Sequence, residues 1–254
     1  MRGRALLLGS IIPVAALLVW EGAVSIGVVD GEAMPPPSAV VAAARAEIVD
    51  GVLVDVLGHS LLVVLAGWGI AVVVGLVVGI VLGLSHFARL FSDASIEFSR
   101  AIPAVALVPV GILIFGFDLR AELFVVAFAA FWPMVVNTTA AVELVPSQLS
   151  DVAKTMQLRP LSRVFKVTIP AAMPRAIVGM RLSMATAVIL MAVAEMTGNP
   201  AGIGNELVLA QTSVRPATAM FYILAIGIVG MVLNTLLLIL ARKLTPHGLV
   251  GDAS

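Results

Sequence analysis

Residues 56–84 read VLGHSLLVVLAGWGIAVVVGLVVGIVLGL, and this stretch contains no aspartate, glutamate, lysine or arginine. A helix that rises about 1.5 Å per residue needs roughly 20 apolar residues to cross the hydrocarbon core of a bilayer. The stretch is longer than that. It therefore predicts a membrane-spanning helix, and the rest of the chain can be interpreted from it.

The composition of the whole chain agrees with a membrane protein. Of its 254 residues, 61% are hydrophobic and 12% are charged, and the formal net charge is +0. A soluble domain has about 25% charged residues, so there is too little charge here to cover a surface that faces water. These values exclude a soluble enzyme, a nucleic-acid-binding protein and a disordered chain. Cysteine is absent, which excludes disulfides and thiol chemistry.

Five further charge-poor windows carry the same signal. We expect an all-α polytopic membrane protein with six transmembrane helices in a single domain over residues 1–254. The first window follows Arg2 and Arg4 and also fits a cleavable signal peptide, but its apolar run is longer than such peptides usually have. The predicted spans are 5–29, 56–84, 101–117, 123–142, 176–196 and 219–241, with a long polar segment over 143–175.

Basic residues predict the orientation of the chain, because loops rich in lysine and arginine stay in the cytoplasm. With the N-terminus inside, twelve basic residues fall on the inner side, and three (Arg45, Arg120 and Arg215) fall on the outer side. We therefore expect both termini in the cytoplasm. Acidic residues fall mainly outside, where they either attract a basic partner surface or simply tolerate translocation.

Small residues recur every four positions in the second predicted span. At 3.6 residues per turn they form one stripe, along which another helix backbone can approach closely. The stripe fits either a moving or dimer-forming interface or ordinary packing within the chain. Its members are Gly67, Ala71, Gly75, Gly79 and Gly83.

Prolines interrupt two of the predicted spans. Pro103 and Pro109 lie in the third span and Pro133 lies in the fourth. Each proline removes a backbone hydrogen bond and tends to kink its helix. Kinked helices suit a pathway of unequal width, although they also occur in static bundles.

Residue types needed for enzyme chemistry are scattered or absent. His59, His86 and His247 lack the spacing of metal ligands. No lysine follows a glycine, so the chain has no nucleotide-binding P-loop. We therefore expect no metal, no cofactor and no enzymatic activity, and any ATP that powers this protein must be bound by another chain.

Polar residues inside the predicted spans are candidates for a transport pathway. An ionisable group within a membrane is costly and is a functional hypothesis by default. Glu195 precedes a glycine-rich turn over 198–204, where it either lines a pathway or holds the turn by hydrogen bonds. The neutral candidates, whose hydroxyl groups can also bond to their own helix, are Asn137, Thr138, Ser183 and Thr186.

The polar segment over 143–175 contains two short apolar repeats. Val152 and Met156 share one helical face, while Lys154 points away from it. Pro160 suits the first turn of a second short helix. Two amphipathic helices of this kind either dock a cytosolic partner or lie on the membrane surface. The second repeat consists of Leu161, Val164, Phe165 and Thr168.

This segment resembles the EAA loop of ABC-importer permeases, in which Glu-Ala-Ala is followed after three residues by glycine and after nine more by Ile-x-Leu-Pro. Two features depart from that pattern: Asp-Val-Ala replaces Glu-Ala-Ala, and Gln157 occupies the position of the glycine. The glycine normally relaxes the end of the first short helix, and Pro160 can still end that helix. The matching positions are Asp151, Val152, Ala153, Val167, Ile169 and Pro170.

Over most of its length the chain is similar to the nitrate, sulfonate and taurine branch of these permeases, which belongs to the binding-protein-dependent transport family. The similar stretches occur in the family order, on the sides of the membrane that the basic residues indicate. They are Trp20-Glu21, Met34–Ser38, Arg100–Ala104, Gly179–Leu182, and Ala194-Glu195 followed by Gly202–Gly204.

The resemblance implies a type I ABC importer permease fold, like that of the methionine importer, in the inner membrane of a bacterium. It also implies partners: the lipid bilayer, two ATP-binding-cassette ATPase subunits, a second permease copy that is identical or related, and an extracytoplasmic solute-binding protein. Nucleic acid is not among them. The implied role of residues 151–170 is to couple ATPase movement to the membrane helices. In that role Lys154, Arg159 and Arg163 reach acidic groups on the ATPase, and Val152, Met156 and Leu158 fill its groove.

The cargo that the resemblance implies is a small anion such as nitrate, a sulfonate or taurine. Other members of the branch carry vitamin-precursor heterocycles, so a heterocycle is the alternative cargo. A non-transporting membrane scaffold is a further alternative. A membrane enzyme would need a cluster of acid, base or metal-binding residues, and the sequence shows none.

Overall fold

The computed structural model describes the backbone of residues 2–244 and the side chains of residues 11–241 and 243, except residue 150. Within this range every regular element is helical. Residues 1 and 245–254 of the predicted domain, His247 among them, and the side chains of Arg2, Arg4 and Arg242 lie outside the description. The helices are α1 (Arg2–Ser25), α2 (Pro37–Val49), α3 (Val52–Leu84), α4 (His86–Ala101), α5 (Val108–Phe115), α6 (Leu119–Glu143), α7 (Ser147–Thr155), α8 (Pro160–Arg163), α9 (Ile169–Thr197), α10 (Gly202–Thr212) and α11 (Pro216–Leu244).

Four helices in the described range are long and apolar enough to cross a membrane. The predicted first span falls on α1, whose described apolar part, Ile11–Ser25, is shorter than a full span. The structure therefore shows a multi-pass membrane protein with four to five spans, and the six-span count stays a prediction. The four are Val52–Leu84, Leu119–Glu143, Pro160–Thr197 and Pro216–Ala241, and α4 with α5 forms a fifth if the bent pair is counted as one.

The predicted third span, 101–117, is not one helix. The chain breaks after Ala101, continues as a 3₁₀ turn over Ala104–Leu107, and then forms α5, so that the pair is bent by 80°. Pro103 has no N–H and forces the preceding residue, Ile102, into an extended conformation with ψ of 121°. The proline that we expected to kink this span therefore breaks it. The preceding helix, α4, is a separate amphipathic helix in which no residue is buried.

The core of the bundle lies where α3, α6 and α9 pack against one another, with α10 and α11 closing one side. Residues on the inward faces are fully buried, while the outward faces of α3 and α11 expose Val73 and Ile228, as expected for surfaces in contact with lipid. The Trp68 indole N–H donates to the Met180 carbonyl at 3.2 Å and joins α3 to α9. Core side chains include Val63, Val64, Val126, Ala130, Met134, Ala187, Met191 and Tyr222.

Polar contacts join α2 to α1 on one side and to α11 of the bundle on the other. The Glu21 carboxylate of α1 accepts hydrogen bonds from the Ser38 N–H at 3.0 Å and from its hydroxyl at 2.7 Å. At the other side, the Tyr222 hydroxyl of α11 donates to Glu47 at 2.6 Å. Glu21 and Ser38 belong to two separate stretches that the family resemblance singled out, and the fold brings them together at the N-terminus of α2.

Candidate coupling segment and transport pathway

The first half of the candidate coupling segment is α7, which ends in a turn that usually contains glycine. Gln157 follows the helix with a φ of 54°, in the left-handed region. Its N–H donates to the Lys154 carbonyl at 2.9 Å, and the Leu158 N–H donates to the Ala153 carbonyl at 3.1 Å. These two bonds complete a Schellman motif. Glutamine thus forms the helix end that the EAA pattern assigns to glycine, at a cost of roughly 1 kcal/mol for the left-handed backbone.

The second half of the segment runs directly into a membrane span. Pro160 stands in the first turn of α8, a π-helical turn follows over Val164–Thr168, and α9 continues from there. Together these pieces form one helix of 38 residues, Pro160–Thr197. Pro170 has no N–H to donate, and a π-helical turn before it is one way in which a helix absorbs such a defect. The helix that contains the span expected over 176–196 therefore starts well before that range.

Four large apolar side chains of residues 151–170 are exposed, and we call them the coupling surface. Val152 and Met156 of α7 are 57% and 68% exposed, and Leu161 and Phe165 of the following helix are 70% and 62% exposed. Ala153, between them, is buried. Apolar side chains of this size that stay exposed among charged residues are candidates for an interaction site, and their docking role stays a prediction.

Charged residues surround the coupling surface. Lys154 pairs with Asp151 of the same helix at 2.9 Å, and both side chains are exposed. Arg159 is exposed, whereas Arg163 and Leu158 are partly buried. Lys154 lies on the side of α7 away from Val152 and Met156, as the helical spacing predicts.

The small-residue stripe of α3 packs against α6. A side-chain carbon built on Gly79 would lie 2.5 Å from Cβ of Thr138, and one built on Gly83 would lie 2.6 Å from Cβ of Val142. Gly67 and Gly75 meet Val126 and Met134 in the same way, and Ala71 is buried in the same row. The close approach supports packing within the chain, the second of the two interpretations of the stripe.

The neutral pathway candidates mostly bond to backbone carbonyls in this structure. The Asn137 amide donates to the Pro133 carbonyl at 2.7 Å, and the Ser183 hydroxyl donates to the Ala130 carbonyl at 2.7 Å, joining α9 to α6. Thr186 donates to the carbonyl of Leu182, one turn earlier in α9, at 2.9 Å. Thr138 is buried against Gly79, and its hydroxyl has no partner among the described residues. A role for these side chains in a pathway stays a prediction.

Glu195 lies at the predicted outer end of the bundle and is 1% exposed. Its carboxylate accepts a hydrogen bond from the Gly204 N–H at 2.9 Å. Gly202 has a φ of 88°, and a side-chain carbon built on it would lie 2.2 Å from Cδ of Glu195. Beside them, the Ile203 N–H donates to the buried Ser60 hydroxyl at 2.9 Å. Glu195 therefore holds the glycine-rich turn, which is one of the two roles expected for it.

A second buried carboxylate lies at the same end and was not among the predicted site residues. Glu122 of α6 is 1% exposed and lies 2.8 Å from His59 of α3. The two residues are 63 positions apart, and no spacing rule connects them. We call Glu195, Ser60, Glu122, His59 and the backbone of 202–204 the outer polar cluster. Glu122 and Glu195 each keep one carboxylate oxygen without a hydrogen-bond partner among the described residues.

At the opposite end, a cavity of about 420 Å³ separates α4 from α6. Arg89 of α4 forms an ion pair with Glu143, the last residue of α6. A second, mainly apolar groove of about 470 Å³ lies between α3 and α6, and its lining includes four aromatic residues of α6. Further charged residues along the cavity are Asp93, Glu97 and Arg100.

Most of the chain matches a known protein family. Residues 71–247 match the family described as binding-protein-dependent transport system inner membrane component. The chain belongs to this family. The matched range includes the coupling segment, Glu122, Glu195 and the turn at 202–204, and it begins after His59 and Ser60.

Two relatives of the permease indicate its branch. It is 29% identical over 236 residues to the putative aliphatic sulfonates transport permease protein SsuC of Bacillus subtilis (strain 168), covering 93% of this chain and 86% of the relative. It is 28% identical over 187 residues to the nitrate import permease protein NrtB of Leptolyngbya laminosa, covering 74% and 67%. The predicted nitrate and sulfonate branch of ABC importer permeases is confirmed.

A solved structure confirms the predicted fold of the permease. The chain superimposes on an inward-facing structure of the MetNI methionine ABC transporter with a TM-score of 0.63 and 20% sequence identity, covering 76% of this chain and 94% of that one. At this identity the likeness concerns the fold alone. The permease therefore has the type I ABC importer fold.

Proposed function

We propose that this permease forms the translocation pathway for a small anion, nitrate or an alkyl sulfonate, in an importer driven by two ATPase subunits. The solute would be delivered by an extracytoplasmic binding protein, and both ends of the permease would face the cytoplasm. The names of the sulfonate and nitrate relatives support the choice of cargo. The distribution of basic residues supports the orientation.

The coupling surface is the observation that carries this proposal. Four apolar side chains stay exposed between charged residues, within the segment 151–170 that resembles the EAA loop. Burying such a side chain contributes about 1.5–3 kcal/mol. The charged residues around them, Lys154, Arg159 and Lys166, are exposed, which disfavours insertion into lipid. A cytosolic protein with an apolar groove and an acidic rim therefore fits this surface better than a bilayer does.

A second permease copy is part of the proposal, because one chain leaves apolar and charged surfaces uncovered together. Leu113 and Ile114 of α5 are 86% and 61% exposed, and the cavity between α4 and α6 is lined by charged residues. Lipid suits the first surface and not the second. Two copies facing each other across this side would enclose a polar space, and Asn137, Thr138, Ser183, Thr186 and Glu195 remain candidates to line it.

The docking site is tested with Met156→Asp combined with Lys154→Glu. We expect the ATPase subunits to be lost from the complex purified in mild detergent and solute uptake to fall at least about tenfold, because an aspartate buried in an apolar groove costs more than 1.4 kcal/mol. Ser147→Asp is the matched control, since it adds an acidic residue to the first turn of the same helix, away from Met156, where helices favour one. Retention of the ATPases and of uptake in the double variant would contradict the proposal.

The cargo is tested separately, in proteoliposomes that contain the whole complex and its binding protein. We expect ATP-dependent uptake of labelled nitrate or of a short alkyl sulfonate. Competition between the two anions then identifies the preferred one. Uptake of a neutral heterocycle with no competition by either anion would show that the cargo belongs to the alternative class.

A further inference from the structure

Two residues of the outer polar cluster, Ser60 and Glu195, belong to other helices and cap the N-terminus of α10. The first turn of a helix has N–H groups without partners in the helix itself, and a side chain at the N-cap usually accepts from them. The N-cap of α10 is Ala201, which has no side chain able to do so. Ser60 of α3 accepts instead from Ile203, and Glu195 of α9 accepts from Gly204. The Glu195 carboxyl thereby lies at the positive end of the helix dipole, where an acceptor is favoured.

Glycine is required for this arrangement at two positions. A side-chain carbon on Gly202 would overlap the Glu195 carboxylate, and one on Gly204 would lie 2.5 Å from the Ala192 carbonyl oxygen and 2.8 Å from Cβ of Glu195. The first turn of α10 therefore sits directly on the last two turns of α9. The two helices approach each other so closely that neither Gly202 nor Gly204 has room for a side-chain carbon.

Glu195 also belongs to the same continuous helix as half of the coupling surface. Leu161 and Phe165 lie at the first turns of the 38-residue helix, and Glu195 lies near its last residue, Thr197. This helix runs through the π-helical turn over Val164–Thr168 and past Pro170 and Pro174 without ending, and an unbroken helix carries a displacement along its length. A movement imposed on Leu161 and Phe165 therefore reaches the turn that holds α10.

We propose that Glu195 is a positioning residue for transport, which ties α10 to α9 so that movement of the coupling segment moves α10 at the predicted outer end of the pathway. The proposal rests on the proposed function. It differs from a general packing role, because losing the tie separates movement of α10 from ATP hydrolysis while both helices remain folded.

The natural absence of cysteine allows a direct test. Spin labels on Thr212→Cys of α10 and Val54→Cys of α3, both exposed positions, report the distance between the two helices in the complete complex in lipid nanodiscs. In the otherwise unchanged chain we expect the distance to change when ATP and vanadate trap the ATPases. In Glu195→Ala we expect this change to disappear and uptake per ATP hydrolysed to fall at least about tenfold, since the buried Gly204 N–H then loses its acceptor.

Two further variants separate positioning from folding. Glu195→Gln keeps an acceptor for the Gly204 N–H, so we expect it to restore the distance change and to keep uptake per ATP within about threefold of the unchanged chain. Thr197→Val is the neighbouring control, because the Thr197 hydroxyl donates within its own helix; it should behave like the unchanged chain. If Glu195→Ala does not assemble, Glu195→Met, which keeps most of the side-chain volume but offers no acceptor to the Gly204 N–H, is measured in its place and should also lose the distance change.

The outcomes are distinguishable from failure of the proposed function. A complex that takes up no solute even with the unchanged chain contradicts the proposed function. A complex that takes up solute without any change in the Thr212–Val54 distance overturns the role of α10. A distance change in Glu195→Ala as large as in the unchanged chain overturns the role of Glu195.

Discussion

Each end of the permease contains a residue with a left-handed backbone conformation beside a helix terminus, and the two residues have different surroundings. At the coupling segment Gln157 stands in an exposed turn whose hydrogen bonds stay within α7. At the outer polar cluster Gly202 is buried under the carboxylate of Glu195, and the bonds run between helices. The turn at Gln157 is therefore expected to tolerate substitution and is accessible to a partner protein. The turn at Gly202 is part of the packed bundle.

Gly202→Ala is expected to have the largest effect on this comparison. A left-handed backbone costs a residue with a side chain about 1–2 kcal/mol, and overpacking a full core adds about 1–3 kcal/mol. We expect the free energy of unfolding to fall by roughly 2–5 kcal/mol, measured by thermal or SDS unfolding of the purified permease. Gly227→Ala in α11 is the control, because a side-chain carbon there meets nothing within 4 Å. Equal stability of the two variants would show that the outer cluster is not tightly packed.

Gln157→Gly is expected to act in the opposite direction. Glycine adopts the left-handed region without a steric penalty, and both bonds of the Schellman motif involve backbone atoms only. We expect the variant to stabilise α7 by about 1 kcal/mol, seen as slower amide hydrogen exchange in residues 147–156. Gln157→Ala keeps the penalty and should not slow exchange. Faster exchange in the glycine variant would mean that the turn depends on the glutamine side chain.

The Asp151–Lys154 ion pair is expected to have the smallest effect. Both side chains are exposed, and exposed pairs contribute roughly 0–1 kcal/mol. A double-mutant cycle with alanine at each position should give a coupling energy at the lower end of this range in the isolated permease. A coupling energy well above 1 kcal/mol would show that α7 is held more rigidly than its exposure suggests.

Much of the fold could be predicted from the sequence, because long charge-free runs leave few alternatives in a bilayer. The runs at 56–84, 123–142 and 219–241 became α3, α6 and α11 with shifted ends. The break after Ala101 could not be predicted, because a proline permits either a kink or an interruption and tertiary packing decides between them. The short helix α10 was also missed, since its start is glycine-rich and its caps come from α3 and α9.

The candidate site was only partly predictable, and for a physical reason. Local spacing identified the exposed pairs Val152–Met156 and Leu161–Phe165, because residues three and four apart share a helix face. The link between Glu195 and the turn at 202–204 was one of two alternatives, since the residues are close in sequence. His59 and Glu122 meet only through the packing of α3 on α6, and a single sequence contains no signal for such a contact.

The length of the helix from Pro160 to Thr197 has a mechanical consequence. Its 38 residues span about 57 Å, nearly twice the roughly 30 Å thickness of the hydrocarbon core. A helix of this length that tilts as one body turns about a pivot inside the bilayer. If the pivot lies about 30 Å from one tip, a tilt of about 10° sweeps that tip through roughly 5 Å, about one helical pitch. A short stroke by a cytosolic motor is then enough to shift the far end by the width of a small ion.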